Sequence, residues 1–247
     1  MRSIVVSSGK GGVGKTSISL NLAIALAQLG KKVIIVDADV SMANIGILLG
    51  IERTPLTLHN ALMGEVPVDD VVYEGPAGIK FVPSGLSIAR ASKISFARLE
   101  PIIRELEEKA DFVIIDSPSG LAIDAETALK SAKEVIIVVI PEPTSVADAL
   151  KIKQMAEKYS VKTLGFVVNR IIGEGHEIKT KELASLLETK VLAEIAEDIQ
   201  VRRAGSSQQP VMIKYPNSGF SRAMNKIALD LCGGSAAVAQ GKPKKGL

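Results

Sequence analysis

The chain is organised as short apolar runs separated by longer amphipathic stretches. The runs are rich in Val and Ile and are continuous rather than alternating, which is typical of strands buried on both faces of a parallel sheet. They occupy residues 3–7, 32–39, 78–85, 111–118, 134–143, 163–170 and 190–195. Helical stretches lie between them, at 16–30, 96–110, 145–159 and 180–188. This order predicts an α/β fold with one doubly wound, mostly parallel sheet and helices on both faces.

Length and composition limit the number of domains and the classes of partner. A chain of 247 residues can form one α/β domain, which we place at residues 1–231. The net charge of +3 and the aromatic content of 3% do not favour a nucleic-acid-binding protein built on stacking aromatic side chains. Phe81, Phe112 and Phe166 lie within apolar runs, so we expect them in the core.

The cellular compartment is suggested by what the sequence omits. The single cysteine, Cys232, excludes a disulfide within the chain and any paired-thiolate metal motif. No apolar run approaches the roughly 20 residues that a membrane-spanning helix needs, and the first residues do not resemble a signal peptide. We therefore expect a cytoplasmic protein, with peripheral attachment to the inner face of the cell membrane as a further option.

A glycine-rich loop follows the first apolar run. Residues Gly9 to Thr16 fit the pattern G-x-x-x-x-G-K-[ST], which is the phosphate-binding P-loop. In such a loop the backbone N–H groups surround phosphate oxygens, Lys15 contacts the β- and γ-phosphates, and the Thr16 hydroxyl binds Mg²⁺. The predicted nucleotide-binding residues of the loop are Gly11, Gly12, Val13, Gly14, Lys15, Thr16 and Ser17.

The same glycines also fit the dinucleotide fingerprint G-x-G-x-x-G, with Asp37 near the position of a ribose-binding acid. Two features favour the P-loop instead. A dinucleotide site has no need for Lys15 and Thr16, and Asp116 ends another apolar run, as expected of an aspartate that holds Mg²⁺ through its water shell. The sequence therefore predicts an ATPase that uses ATP and Mg²⁺.

Two further acids follow the second apolar run. Asp37 and Asp39 are one residue apart, so at least one should face the nucleotide. Asp37 could instead bind backbone N–H groups of the turn. We predict that Asp39 orients the attacking water and lies in the metal site, because phosphoryl transfer requires positioned water rather than a covalent nucleophile. The two histidines, His59 and His176, are expected at the surface or in loops.

The motifs "KGGVGKT", "DADVSMAN" and "DSPSG" resemble those of the MinD/ParA family of deviant Walker A ATPases, over about residues 1 to 231. The resemblance implies a homodimer on ATP binding, in which Lys15 serves its own ATP and Lys10 reaches the nucleotide of the partner. It also implies that Asp39 belongs to a first switch segment ending at Asn44, and that residues 116–120 form a second. It places Asn169 at the adenine-binding position and Arg170 beside the ring.

The sequence departs from the family pattern in the base pocket, where "IAED" carries Ala196 in place of the family's proline. Iron–sulfur relatives with the same loop need paired cysteines, which Cys232 cannot supply. The terminal stretch 219–231 places Phe220, Met224 and Ile227 on one helical face and is expected to pack on the sheet. Residues 232–247 then form a predicted flexible, basic tail.

Three functions stay open on the sequence alone. A MinD-type ATPase would position the division site or other polar machinery by ATP-gated attachment to the membrane through the tail. A protein activator would stimulate its ATP hydrolysis. A ParA-like partition ATPase would instead bind DNA non-specifically. A P-loop ligase or kinase would use ATP on a small molecule, although no substrate motif is visible.

Overall fold

A computed structural model describes residues 1–40, 44–51, 53–85 and 96–234. Within these ranges the strands form one eight-stranded sheet in the order β3-β4-β2-β5-β1-β6-β7-β8. All neighbours are parallel except β3 and β4, which are antiparallel. The strands are Arg2–Ser7 (β1), Val33–Asp37 (β2), Tyr73–Glu74 (β3), Lys80–Val82 (β4), Phe112–Asp116 (β5), Glu134–Val139 (β6), Lys162–Ile171 (β7) and Val191–Ala196 (β8). The predicted doubly wound α/β fold is confirmed.

Ten α-helices connect the strands of the described part. They are Lys15–Gln28 (α1), Ile45–Leu48 (α2), Leu58–Met63 (α3), Leu99–Glu107 (α4), Ile123–Lys130 (α5), Pro143–Lys158 (α6), Thr180–Leu187 (α7), Ile199–Ser206 (α8), Val211–Lys214 (α9) and Gly219–Leu231 (α10). The start signals are local: α6 begins at a proline, and the Ser218 hydroxyl accepts the Ser221 N–H at 3.0 Å to cap α10.

The sheet lies between two apolar layers, so its central strands are buried on both faces. Along β1, Ile4 and Val6 belong to one layer and Val5 to the other. The first layer includes α1 and α10, and the second includes α4, α5, α6 and α7. Phe81, Phe112 and Phe166 are buried as expected.

Helix α10 packs on the sheet, as the sequence indicated. Phe220, Met224 and Ile227 are buried in the same layer as α1. The tail that follows it was predicted to be flexible, but residues 235–247 lie outside the described residues, so that expectation stays a prediction. Within the described ranges, no helix has both the length and the apolar character needed to cross a bilayer.

The expectation for one histidine is wrong. His59 is buried within α3, where Leu58, Ala61 and Leu62 are buried too. A six-residue helix is too short to show an apolar period in the sequence, so its inward face could not be recognised. His176 is exposed, as expected.

Strand β7 contains a glycine that the sheet requires. Gly165 has a φ of +148°, and a Cβ built there would lie 2.6 Å from the Lys190 carbonyl oxygen and 2.8 Å from Leu192 Cγ. The pairing of β6 with β7 and of β7 with β8 shifts register around this position. We expect Gly165→Ala to lower the free energy of unfolding by about 2 kcal/mol, because the added methyl must displace backbone. Urea denaturation measures the change.

The control for that prediction is Gly175→Ala, since a Cβ at this loop glycine meets nothing within 4 Å. Its effect should stay within about 0.5 kcal/mol. Equal stability of the two variants would show that β7 accommodates a side chain at Gly165.

Candidate nucleotide-binding site

The glycine-rich loop joins the carboxyl end of β1 to α1, as the motif predicts. Gly12 and Gly14 adopt left-handed backbones, with φ of +76° and +96°. A Cβ on Gly14 would lie 2.3 Å from Asn169 Nδ2, and one on Gly9 would lie 2.0 Å from Asp148 Cβ. The loop is therefore restricted to glycine by conformation at Gly12 and Gly14, and by close neighbours at Gly9 and Gly14.

Lys15, at the start of α1, and Asp116, at the end of β5, form a buried ion pair. Lys15 Nζ lies 3.3 Å from Asp116 Oδ1, and their side chains are 5% and 1% exposed. The Ser19 hydroxyl lies 2.9 Å from the same carboxylate oxygen and 3.0 Å from the Lys15 carbonyl oxygen. Asp116 Oδ2 is buried without a hydrogen-bond partner among the described residues. A buried carboxylate oxygen with no partner suits a hydrated divalent cation, so Asp116 fits the predicted role of holding Mg²⁺ through its water shell.

Asp37 lies next to Asp116, since the two acids are register partners on β2 and β5. Its carboxylate accepts the N–H of Asp39 at 3.2 Å, and those of Asn44 and Ile45 at 3.1 Å each. Burial first, and then the Asp116 carboxylate, raise the pKa of Asp37 to about 8. The turn-binding alternative is thus the one that the structure shows for Asp37.

The two lysines of the loop occupy different environments. Lys10 is not in the buried site: its Nζ lies 2.8 Å from Glu142 Oε2, and the side chains are 38% and 51% exposed. Glu142 immediately precedes α6 at the carboxyl end of β6. One lysine therefore lies at the centre of the phosphate loop and the other at the surface beside it.

Two adjacent side chains at the end of β7 contact the loop. Asn169 Nδ2 donates to the Val13 carbonyl oxygen at 2.7 Å, and Arg170 Nη1 donates to the Gly12 carbonyl oxygen at 2.8 Å. A cavity of about 250 Å³ opens beside them, large enough for a purine base. It is lined by Gly12, Gly14, Ser17, Asn169, Arg170, Ala196, Glu197, Asp198, Val201, Arg202 and Phe220.

The structure brings together most of the predicted site residues. Lys15, Asp116, Asn169 and Arg170 surround the loop, whereas the first switch segment is described only in part because residues 41–43 lie outside the described ranges. Asp39 and Thr16 are partly exposed near the loop. Their roles in metal binding and water orientation stay predictions.

Sequence reasoning missed four residues that the fold adds to this site: Ser19, Glu142, Asp148 and Glu197. Ser19 lies four residues after Lys15, on the same face of α1, which was the one signal available for it. Glu197 belongs to the "IAED" segment of the base pocket, which was the available signal for it. Glu142 and Asp148 reach the site through the order of the strands, which no local motif encodes.

Comparison with known proteins identifies the family. The ParA family profile, described as an iron-transfer P-loop NTPase of NUBPL type, matches residues 1–232. The chain belongs to the ParA family of P-loop NTPases. It is a P-loop ATPase of MinD/ParA type that uses ATP with Mg²⁺, so the dinucleotide alternative is set aside. The single cysteine still offers no paired thiolates for iron within one chain.

Three similar proteins illustrate the range of the family. An uncharacterised ATP-binding protein of Methanocaldococcus jannaschii is 39% identical over 98% of this chain and 91% of its own length. The antiactivator FleN of Pseudomonas aeruginosa is 33% identical over 91% of this chain and 84% of its own. The structure of the septum site-determining protein MinD of Pyrococcus horikoshii, complexed with Mg-ADP, is 32% identical, with a TM-score of 0.89 over 93% of this chain and 95% of that one.

The different burial of the two lysines leads to a stability prediction for the nucleotide-free protein. Lys15→Ala leaves Asp116 buried without a cation, so we expect a loss of about 3 to 5 kcal/mol in the free energy of unfolding. Lys10→Ala removes only an exposed ion pair and should cost at most about 1 kcal/mol. Urea denaturation without nucleotide compares the two variants.

Nucleotide binding provides the second measurement on the same pair. In calorimetric titration Lys15→Ala should fail to bind ATP, because the cation nearest the phosphates is gone. Lys10→Ala should bind ATP as the unmodified monomer does. Normal ATP binding by Lys15→Ala would contradict the assignment of this loop.

Proposed function

We propose that this protein is a MinD-type ATPase that positions the division site or other polar machinery. ATP binding brings two copies together, the dimer attaches reversibly to the inner face of the cell membrane, and hydrolysis releases it. A protein activator stimulates the hydrolysis. The similarity to an archaeal septum site-determining MinD supports this type of role.

The surface position of Lys10 carries the proposal. Its Nζ is directed to Glu142 rather than to the buried pair of Lys15 and Asp116, although it belongs to the same loop. A cation at the edge of a nucleotide site is placed to act on the nucleotide of a second chain. Such a cation stabilises the charge that develops during phosphoryl transfer. The dimer thereby becomes a condition for hydrolysis.

Exposed apolar residues on the same edge support a dimer interface. Ile123 follows the second switch segment at the start of α5 and is 79% exposed, and Ile172 follows β7 and is 67% exposed. Since β5, β1, β6 and β7 are consecutive in the sheet, these two residues lie on either side of Lys10 and Glu142. The loop carrying Ile172 is held by the Glu177 carboxylate, which accepts the N–H of Ile172 at 2.8 Å and that of Gly173 at 2.7 Å. Exposed apolar side chains supply the apolar contacts of an interface, and charged groups such as Lys10 and Glu142 belong to its polar part.

Within each subunit, different residues bind the phosphates, the Mg²⁺, the attacking water and the base. The N–H groups of residues 11–17 and the Lys15 ammonium bind the phosphates, and Thr16, Asp39 and Asp116 surround the Mg²⁺. When bound, Mg²⁺ neutralises charge on the β- and γ-phosphates. Asp39 orients the attacking water, and Asn169 and Arg170 border the base.

A second candidate is a partition-type ATPase whose dimer binds DNA non-specifically. The sequence of residues 232–247 does not decide between the two, because its three lysines, Lys242, Lys244 and Lys245, would attract either anionic lipid or DNA. The similar protein FleN is named an antiactivator, which is a role other than the placement of a division site. The packed helix α10 is not available as an inserting helix, so attachment depends on the tail.

The dimer can be tested with surface variants in an Asp39→Ala background, in which unhydrolysed ATP should hold the dimer together. In the chain with Asp39 intact, Lys10→Ala should lose activator-stimulated hydrolysis by up to about 10³-fold while the monomer still binds ATP. Ile123→Asp should abolish ATP-dependent dimerisation, because a charge would be buried in the interface. Analytical ultracentrifugation with ATP or ADP reports the dimer.

Leu186→Asp is the matched control, since Leu186 is 49% exposed on α7 and α7 runs away from the nucleotide edge. It should dimerise normally. Full dimerisation and stimulation in Lys10→Ala would contradict a role across the interface.

The attachment surface can be tested by deleting residues 233–247. Each lysine near an anionic surface contributes roughly 1 kcal/mol, so one tail binds weakly while the two tails of a dimer bind together. We expect co-sedimentation with phosphatidylglycerol vesicles to require ATP, to weaken with salt and to be lost on deletion, while ATP binding is retained. Binding to duplex DNA without binding to vesicles would establish the partition-type function instead, and binding to neither would indicate a protein platform.

A further inference from the structure

Glu197 joins two parts of the nucleotide site that no motif connects. It follows β8, and its carboxylate Oε2 accepts a hydrogen bond from Arg170 Nε at 3.0 Å. Its own N–H donates to the Ile171 carbonyl oxygen at 2.9 Å, which fixes it beside the end of β7. The same Arg170 donates through Nη1 to the Gly12 carbonyl oxygen. Glu197, Arg170 and Gly12 thus form a continuous chain from β8 to the phosphate loop.

The geometry of the peptide bond gives these contacts a function. In a trans peptide the C=O of one residue and the N–H of the next point in opposite directions within one plane. Because Arg170 holds the Gly12 C=O, it fixes the direction of the Val13 N–H. Asn169 holds the Val13 C=O and in the same way fixes the Gly14 N–H. Carbonyl groups held away from the centre of the loop leave the N–H groups directed toward bound phosphate.

The backbone of Arg170 shows that this arrangement has an energetic cost. Its φ is +60°, in the left-handed region that non-glycine residues rarely adopt, and such a conformation costs about 1 kcal/mol or more. The pairing of β7 with β8 is irregular at this point. The left-handed turn breaks the usual alternation of a strand, so that two adjacent side chains can contact one loop. Contacts to Gly12 and Glu197 offset this cost.

We propose that Glu197 is a positioning residue for nucleotide binding: it holds the Arg170 guanidinium against the Gly12 carbonyl and so keeps the Val13 N–H directed at the phosphates. An arginine side chain loses considerable rotamer entropy when it is fixed. Glu197 binds the guanidinium at Nε, and Nη1 of the same group then donates to the Gly12 carbonyl oxygen. Its carboxylate also compensates the Arg170 charge, with Arg202 Nη2 3.9 Å from Oε1. The inference rests on the nucleotide site proposed above.

The test is a double-mutant cycle on Glu197→Gln and Arg170→Gln. Both ion-pair partners are partly exposed, 36% for Glu197 and 46% for Arg170, so Glu197→Gln should raise the Kd for ATP and for ADP by about two- to fivefold. The loop contacts phosphates in the ground state and in the transition state alike, so KM should rise while kcat at saturating ATP stays unchanged. In the Arg170→Gln background, Glu197→Gln should have no further effect on either Kd.

The control is Glu100→Gln, which removes another partly exposed Arg–Glu pair, with Arg104 on α4. It should leave both Kd values unchanged. An unchanged Kd in Glu197→Gln would overturn the inference. So would a Kd that Glu197→Gln raises by the same factor in the presence and in the absence of Arg170. The nucleotide site itself is tested separately, because its failure would appear as normal ATP binding by Lys15→Ala.

Discussion

The position of β1 in the sheet is the constraint on which the site depends. The strand lies between β5 and β6, and the chain that leaves it must cross β5 to reach β2. The strands that follow β1 are added first on one side of it and later on the other. At the point where the strand order reverses, a crevice is left at the carboxyl ends of the strands. The phosphate loop occupies that crevice, so strands from both sides deliver side chains to it. Asp37 and Asp116 come from one side, and Glu142 and Asn169 from the other.

Placing charged groups in this crevice is unfavourable for the folded protein alone. Lys15 and Asp116 are almost completely buried, and Asp37 lies beside Asp116 within the same apolar sheet. The raised pKa of Asp37 reflects this burial and the proximity of a second carboxylate. Mg²⁺ beside Asp116 would reduce the repulsion between the acids, and the phosphates would provide a second partner for Lys15. The buried charges are therefore better explained by ligand binding than by stability.

The sequence was sufficient to predict the fold and the position of the glycine-rich loop between β1 and α1, because both depend on local patterns. Buried parallel strands are continuous apolar runs, and Lys15 and Asp116 directly follow such runs. Glu142 and Glu197 also lie at the ends of apolar runs, but their contacts with Lys10 and Arg170 could not be predicted, since these depend on which strands are neighbours. Helices α2, α3 and α9 are too short to show a period, and the burial of His59 was missed for that reason.

The proposed base end of the site departs from the family pattern at residue 196. Ala196 replaces the proline of the family pattern, yet its side chain is exposed at the end of β8 and none of the described loop contacts involves it. The next residue is Glu197, which holds Arg170 and through it the Gly12 carbonyl. A substitution at 196 changes the wall of the base cavity without changing the direction of the loop N–H groups. Preorganised N–H groups bind phosphate without a further cost for ordering the loop. On the role proposed for Glu197, the phosphate end is expected to keep its affinity while the base end varies, provided that the acid at 197 and the arginine at 170 stay paired.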